Sequence, residues 1–197
     1  MKRPLLIILS LFLCMLGIVF IFTLMTQSEH RRSLALPEYF NAPKFSFDTS
    51  GGGRFGDKNL AGKVSVVDFI FTTCMGPCPV MSGHMKGLYD QFEYEPDLQL
   101  VSISVDPERD SPEALQEYAR KFEVTDDRWV FLRDDHLETV VEVIESGFKL
   151  AADDLPFSHP VQLILIDPAG KIRGYYDGTA PADVDSLTSH IHRLLGS

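Results

Sequence analysis

The stretch over residues 64–81, VSVVDFIFTTCMGPCPVM, constrains this chain more than any other. Val64, Val66, Val67, Phe69, Ile70 and Phe71 make an apolar, β-branched and aromatic run that reads as a strand covered on both faces. The run stops at Thr72-Thr73, and Cys74 and Cys78 follow in a C-x-x-x-C spacing among prolines. They fall at the carboxyl end of the strand, where open α/β sheets carry their sites. Two thiols there are either a redox pair or two ligands of a soft metal.

Around this strand the pattern alternates. Residues 45–48 and 54–60 flank Gly51-Gly52-Gly53 and read as an edge hairpin. After the cysteines, residues 80–92 have moderate helical periodicity, and Pro79 suits a first helical position, which makes Cys78 the cap or nearly so. Residues 98–105 read as a second strand ending in Asp106-Pro107. Ser111-Pro112-Glu113 opens a helix to about Phe122. A third strand over 129–132 precedes a helix capped by Asp134 or Asp135 and running through about Ser146. A fourth strand over 161–166 turns through Asp167-Pro168-Ala169-Gly170 into a partner over 171–176, and an amphipathic helix spans 183–195. This order predicts an α/β thioredoxin-like fold: a parallel sheet with helices on its faces, an N-terminal β-hairpin extension and an antiparallel final hairpin.

The amino end carries an appendage. Residues 5–25 contain no charged residue and follow Lys2 and Arg3; their length matches the roughly 20 residues of a membrane-crossing helix. Residues 1–27 therefore read as one transmembrane helix, 28–44 as a polar linker broken by Pro37 and Pro43, and 45–197 as the thioredoxin-like domain. The competing reading is a cleaved signal peptide with Ser33-Leu34-Ala35 at the cleavage site. Its apolar core is usually only ~7–15 residues. Cys14 lies inside the run after Phe12 and Leu13, which do not form a lipoprotein box, and reads as a small apolar residue of the span. Lys2 and Arg3 are nearly balanced by Arg31 and Arg32, so the short tail before the span decides the orientation. The expected location is the inner (cytoplasmic) membrane, single-pass, with the domain on the periplasmic side, where a disulfide persists.

Charge narrows the partners. From Phe45 onward there are 13 Lys and Arg against 26 Asp and Glu, a formal −13. No basic face is offered to a phosphate backbone, so nucleic acid is excluded as a partner. Such a surface suits a basic or neutral protein, and equally serves solubility.

The cysteine spacing leaves the chemistry open. A helix start favours thiolate, the form that attacks disulfides and also the form that binds metal. Positions i and i+4 on a helix stand ~5–6 Å apart at Cβ, against the ~3.8 Å of a disulfide, and a three-residue loop can serve either use. A metal would want a third ligand from the six histidines. His30 lies in the linker, His136 at a helix start, and His190 and His192 in the last helix; His84 is more suited to packing or the surface. His159 immediately precedes the fourth strand, on a loop that faces the cysteines in this fold. Two thiolates and one imidazole without a strong fourth ligand match Cu(I), whereas structural zinc takes four.

Three ordered motifs carry a family resemblance: FIFTTCMGPCP over 69–79, SVDPERD over 104–110, and His159 before VQLILIDPAGKIRGYYDG. Together they resemble the Sco/SenC family of membrane-anchored copper proteins across essentially the whole soluble domain. The resemblance implies one copper ion per chain, held by Cys74, Cys78 and His159, in a metallochaperone that helps build the copper centre of cytochrome c oxidase. Implied partners are the copper-accepting subunit of a respiratory oxidase, other copper chaperones and thiol-disulfide reductases. The alternative within the family is a thiol-disulfide oxidoreductase that reduces cysteines of a copper-site or cytochrome maturation partner, with Cys74 and Cys78 as its reactive pair. Asp106 matches the family's acidic segment and reads either as support for the site or as a strand-end cap. Two departures stand out: Met-Gly-Pro between the cysteines, and Ser158 and Pro160 around His159. Pro160 occupies the place where thioredoxins hold a cis-proline. Met75, Met81 and Met85 read mainly as packing residues rather than auxiliary thioether ligands. A peroxidase, with Thr72 or Thr73 ahead of an attacking Cys74, is the remaining reading.

Overall fold

The computed structural model describes Met15 and residues 36–196. The expected transmembrane helix, Met15 apart, and the first part of the linker lie outside the described residues. Among the described residues no helix is long and apolar enough to cross a membrane. From Pro37 onward the chain folds as one unit.

Its elements are β1 (Ser46–Thr49), β2 (Arg54–Gly56), α1 (Asp57–Leu60), β3 (Val64–Ile70), α2 (Cys78–Gln91), β4 (Leu98–Ser104), α3 (Pro112–Lys121), β5 (Trp129–Arg133), α4 (Leu137–Glu142), β6 (Gln162–Ile166), β7 (Ile172–Asp177) and α5 (Pro181–Leu195). The strands form one sheet in the order β2-β1-β5-β4-β3-β6-β7. β3 and β4 run parallel in register from Val64↔Leu98 to Ile70↔Ser104. Every residue of both is buried, as strands with both faces covered must be. β5 continues the parallel set beside β4, while β6 and β7 run antiparallel on the other side of β3. The cysteine strand is therefore central, and its carboxyl end opens at the mouth of the parallel set.

The N-terminal hairpin is part of the same sheet, joined to β5 through Asp48↔Arg133 and Thr49↔Leu132. Its turn uses Gly52 and Gly53 at φ +88° and +103°, conformations that L side chains avoid. Residues 39–42 extend the other edge. The Tyr39 N–H donates to the Ile172 carbonyl, the Ile172 N–H to Phe40, and the Ala42 N–H to Gly170.

One helix departs from its sequence pattern. Instead of running from 135 to 146, α4 ends at Glu142 and widens into a π turn over Val143–Gly147, closed by the Phe148 N–H on the Val143 carbonyl at 2.9 Å. His136 rather than Asp134 or Asp135 caps it, with Asp134 accepting the His136 N–H. Gly147 lies in this turn hard against Pro43, where a Cβ would stand 2.5 Å from the proline. The wider turn accommodates that contact, and periodicity over so few residues does not distinguish it from an α turn.

Candidate metal centre

The cysteine loop is held from below. β3 ends at Ile70, and the Phe71 carbonyl accepts the Cys74 N–H at 3.2 Å, turning the chain. Between them Thr72 is fastened to Asp110: its N–H donates at 3.1 Å and its hydroxyl at 2.6 Å. The same carboxylate accepts the Ser104 hydroxyl at 2.5 Å. Burial pushes the Asp110 carboxyl up, and the hydrogen bonds from Ser104 and Thr72 oppose that shift. Asp110 is thus the residue of the 104–110 segment that supports the site. Asp106 instead binds Arg109 at 2.8 Å, and its carbonyl accepts the Asp110 N–H.

α2 then begins with Pro77 as cap, Cys78 as first residue and Pro79 as second, one position earlier than the expected start. Cys78 is buried, Cys74 half-buried, and both are free thiols. The Gly76 N–H points to Cys74 Sγ at 3.4 Å. Burial pushes the Cys78 thiol strongly up, with Cys74 and Asp68 adding to the effect and the Phe71 backbone opposing it. The thiolate preference expected of a helix start is outweighed there, because desolvation of a charge exceeds one helix terminus.

His159 completes the group. Its Nδ1 lies 2.9 Å from the Pro160 carbonyl, and its Nε2 lies 3.2 Å from Cys78 Sγ. A carbonyl can only accept, so Nδ1 carries the proton and Nε2 presents a lone pair toward Cys78. Burial lowers the imidazole pKa, opposed by the backbone at Pro160 and Phe69. The Phe71 ring stands edge-on to the imidazole at 5.5 Å and 85°. The His159–Pro160 bond is trans; the cis bond of the described residues is Leu155–Pro156.

Ligand atoms of Cys74, Cys78 and His159 all lie within 4.8 Å of one another, a group able to hold a metal ion. The sequence named all three. Among the other histidines, the His84 Nδ1–H donates to the Gly178 carbonyl at 2.8 Å. His190 bonds the Tyr176 hydroxyl, and His192 packs on Phe92. Met81 and Met85 are fully buried packing residues, whereas Met75 is 98% exposed on the loop. Asp110, and the buried Asp68 on β3, were not singled out by sequence. The available signal was an acidic residue within an otherwise apolar strand, and a second aspartate four positions beyond Asp106.

The sheet and the three side chains define a thioredoxin-like domain with a soft-ligand site at the mouth of its parallel strands. The SCO1/SenC family model matches residues 37–196, and the chain belongs to that family. It is 28% identical to the SCO1 protein homolog of Bacillus subtilis over 180 residues, covering 89% of this chain and 92% of that protein. The structure of BsSco, a member of the Sco family of cytochrome c oxidase assembly proteins with a disulfide switch, superposes with a TM-score of 0.72 at 27% identity, covering 82% of this chain and 96% of BsSco. Arabidopsis thaliana ScoI, solved with copper bound, matches with a TM-score of 0.65 at 26% identity over 79% of this chain and 98% of ScoI.

Proposed function

We propose that the protein is a membrane-anchored copper metallochaperone for assembly of the copper centre of cytochrome c oxidase, and that its cargo is one copper ion held by Cys74, Cys78 and His159. The observation that carries this reading is the imidazole tautomer. With Nδ1–H committed to the Pro160 carbonyl, Nε2 is left as a lone-pair donor beside Cys78. A thiol redox pair needs no such third donor. Two sulfurs and one neutral nitrogen suit Cu(I), which prefers sulfur and accepts low coordination.

The residues divide the work. Cys78 and His159 form the buried part of the site, fixed by α2, by the Pro160 carbonyl and by Phe71. In the metal-free state the Cys78 S–H donates to Nε2, and that proton leaves when copper arrives. Cys74 is the half-buried ligand, the one an incoming thiolate of an acceptor reaches first. The acceptor is a copper-receiving subunit of a respiratory oxidase; other copper chaperones and thiol-disulfide reductases are partners on the supply side. The anchor and the periplasmic location follow from the amino-terminal apolar run. The oxidase role is supported by membership of the family to which BsSco belongs, and copper by the copper-bound ScoI.

A second reading, thiol-disulfide oxidoreductase, is favoured by two cysteines paired at the end of the central strand and by the disulfide switch identified in BsSco. The peroxidase reading is disfavoured by Thr72, whose hydroxyl is engaged by Asp110 rather than presented to Cys74. Copper stoichiometry of wild type and His159→Ala tests the ligand set: unchanged tight binding in the variant overturns it. In cells, equal loss of oxidase activity for His159→Ala and Cys74→Ser supports the metal role, and loss confined to Cys74→Ser supports reduction.

A further inference from the structure

The donors of the site are graded by depth. Cys78 and His159 are buried and Cys74 is half-buried. The loop between the cysteines carries one more soft donor, the thioether of Met75. The residue pattern reads Met75 as a packing residue with Met81 and Met85. Those two do pack, at full burial, but Met75 is 98% exposed, more than any other large apolar side chain among the described residues. Leaving a methionine in water forgoes roughly 1.5–3 kcal/mol of burial. Exposure of one apolar residue is ordinary by itself, and the position of this one is what sets it apart.

The Cys74 sulfur is turned along the loop toward the Met75–Gly76 peptide. The Gly76 N–H points to Cys74 Sγ at 3.4 Å, and a Cβ built on Gly76 would meet only that sulfur, at 3.9 Å. Met75 therefore springs from the stretch of backbone that the Cys74 sulfur overhangs, with no side chain at Gly76 to stand between. Its own side chain is unbranched, has three rotatable bonds and ends in a polarisable sulfur. With so little of it packed, it can swing toward Cys74 at no cost to the fold. Cys74 is also the most open of the three ligands, so an ion coming from solvent meets the group on the Met75 side. A thioether is soft and has no proton to lose, so it binds Cu(I) at once. The thiols bind more strongly and only after giving up their protons. A weak neutral donor thus stands outside two strong ones.

We propose that Met75 is a transient entry and exit ligand for the cargo: its thioether takes Cu(I) from a donor, passes it to Cys74, and receives it again on release. Each passage is a ligand exchange in which copper stays Cu(I). A copper–thioether bond forms as a bond to the donor's ligand breaks. Bonds to the Cys74 and Cys78 sulfurs then form as the thioether dissociates and the two thiol protons go to water. The inference rests on Cys74, Cys78 and His159 holding the copper.

Stopped-flow mixing of the reduced full-length chain with the coloured Cu(I) complex of bicinchoninate tests it, in the range where the rate scales with protein concentration. Return of copper to excess chelator measures release. Met75→Leu keeps size and apolarity but lacks the donor, and Met75→Ser lacks both. Both variants slow uptake and release by about tenfold. Both leave the equilibrium partition of copper within about twofold of wild type, because a ligand present only in passage alters the two directions alike. Unchanged rates in both variants overturn the proposal. Wild-type rates in Met75→Leu beside slow Met75→Ser also overturn it, and assign the side chain to apolar contact of the kind offered by Phe157 and Val80, exposed two residues from His159 and Cys78. A partition shifted about tenfold toward the chelator with uptake unchanged makes Met75 a resident ligand, again against the proposal. A wild-type chain that takes no copper from the chelate overturns the copper reading and this inference with it, a result distinct from tight uptake at unchanged rates.

Discussion

Removing the charge of Asp68 is expected to stabilise the metal-free protein, increasingly as pH rises above about 4 and fully above about 7. In an unfolded chain this carboxyl ionises at its ordinary value of 3.8, and burial in the fold pushes it up to about 7. Below 3.8 it is protonated in both states and contributes no pH dependence. Between the two values the unfolded chain loses the proton while the native one keeps it, so native stability falls as pH rises. Above about 7 both are ionised and the loss is complete. Each unit of displacement is ~1.4 kcal/mol, so the full loss is about 4 kcal/mol. That is a large share of a typical domain's 5–15 kcal/mol. Asp68→Asn lacks this term. Urea unfolding of reduced, metal-free wild type and variant from about pH 4 to 8 isolates it, because carboxylates with lowered pKa such as Asp126 and Asp177 contribute equally to both proteins. The difference should grow with pH in favour of the variant and level off above neutrality. A constant difference across that range refutes the reasoning, since it means that the carboxyl titrates alike in both states.

Other substitutions separate support from ligation. Asp110→Ala strands the Thr72 N–H and the Ser104 hydroxyl, and should lower stability by about 3 kcal/mol in denaturant unfolding while also loosening the cysteine loop. Phe71→Leu removes the edge-on contact with the imidazole; copper affinity should fall roughly 10-fold or more, measured by competition with a Cu(I) chelator, with both cysteines still reactive to alkylation. Met75→Ser should leave stability within about 0.5 kcal/mol in the same unfolding assay, because that side chain is 98% exposed. Acidification should release copper from wild type only below the usual histidine range, since burial holds the His159 imidazole neutral; spectroscopic titration of bound metal against pH measures this.

The central strands, the helices between them and the grouping of Cys74, Cys78 and His159 could all be read from residue patterns. β3 and β4 are buried along their whole length, and such strands read as mostly apolar runs, here interrupted by Ser65 and Asp68 in β3 and by Gln99, Ser102 and Ser104 in β4. His159 was identifiable because its loop enters a strand next to the cysteine strand, so topology alone brings it across 81 positions to Cys78. What escaped was decided by orientation. Asp106 and Asp110 are equivalent as letters, and only the turn that bonds the Asp110 N–H to the Asp106 carbonyl sends one carboxylate under Thr72 and the other to Arg109. The π turn after α4 escaped for a similar reason: contact between Gly147 and Pro43 is long-range and leaves no local trace. The Cys78 thiol shows the limit of local rules most clearly, because its helix position favours thiolate while its burial, a tertiary property, disfavours it and prevails.

That outcome gives the two cysteines unequal roles. A site built only to hold copper is served by two low-pKa thiolates, which would also be open to oxidation in an oxidising compartment. Here the buried thiol is kept protonated, hydrogen-bonded to the third ligand, and opposed by a carboxyl beneath it. Under the proposed copper role, Cys78 would yield its proton only when a cation compensates the charge and recover it when the cation leaves. Under the proposed function Cys74, half-buried at the loop, is the ligand through which exchange would proceed. The protonated state stabilises the empty site, so the free energy of loading is reduced and release to a partner with comparable sulfur ligands comes closer to balance. In that proposed role, burial of one thiol would serve transfer at some expense of affinity.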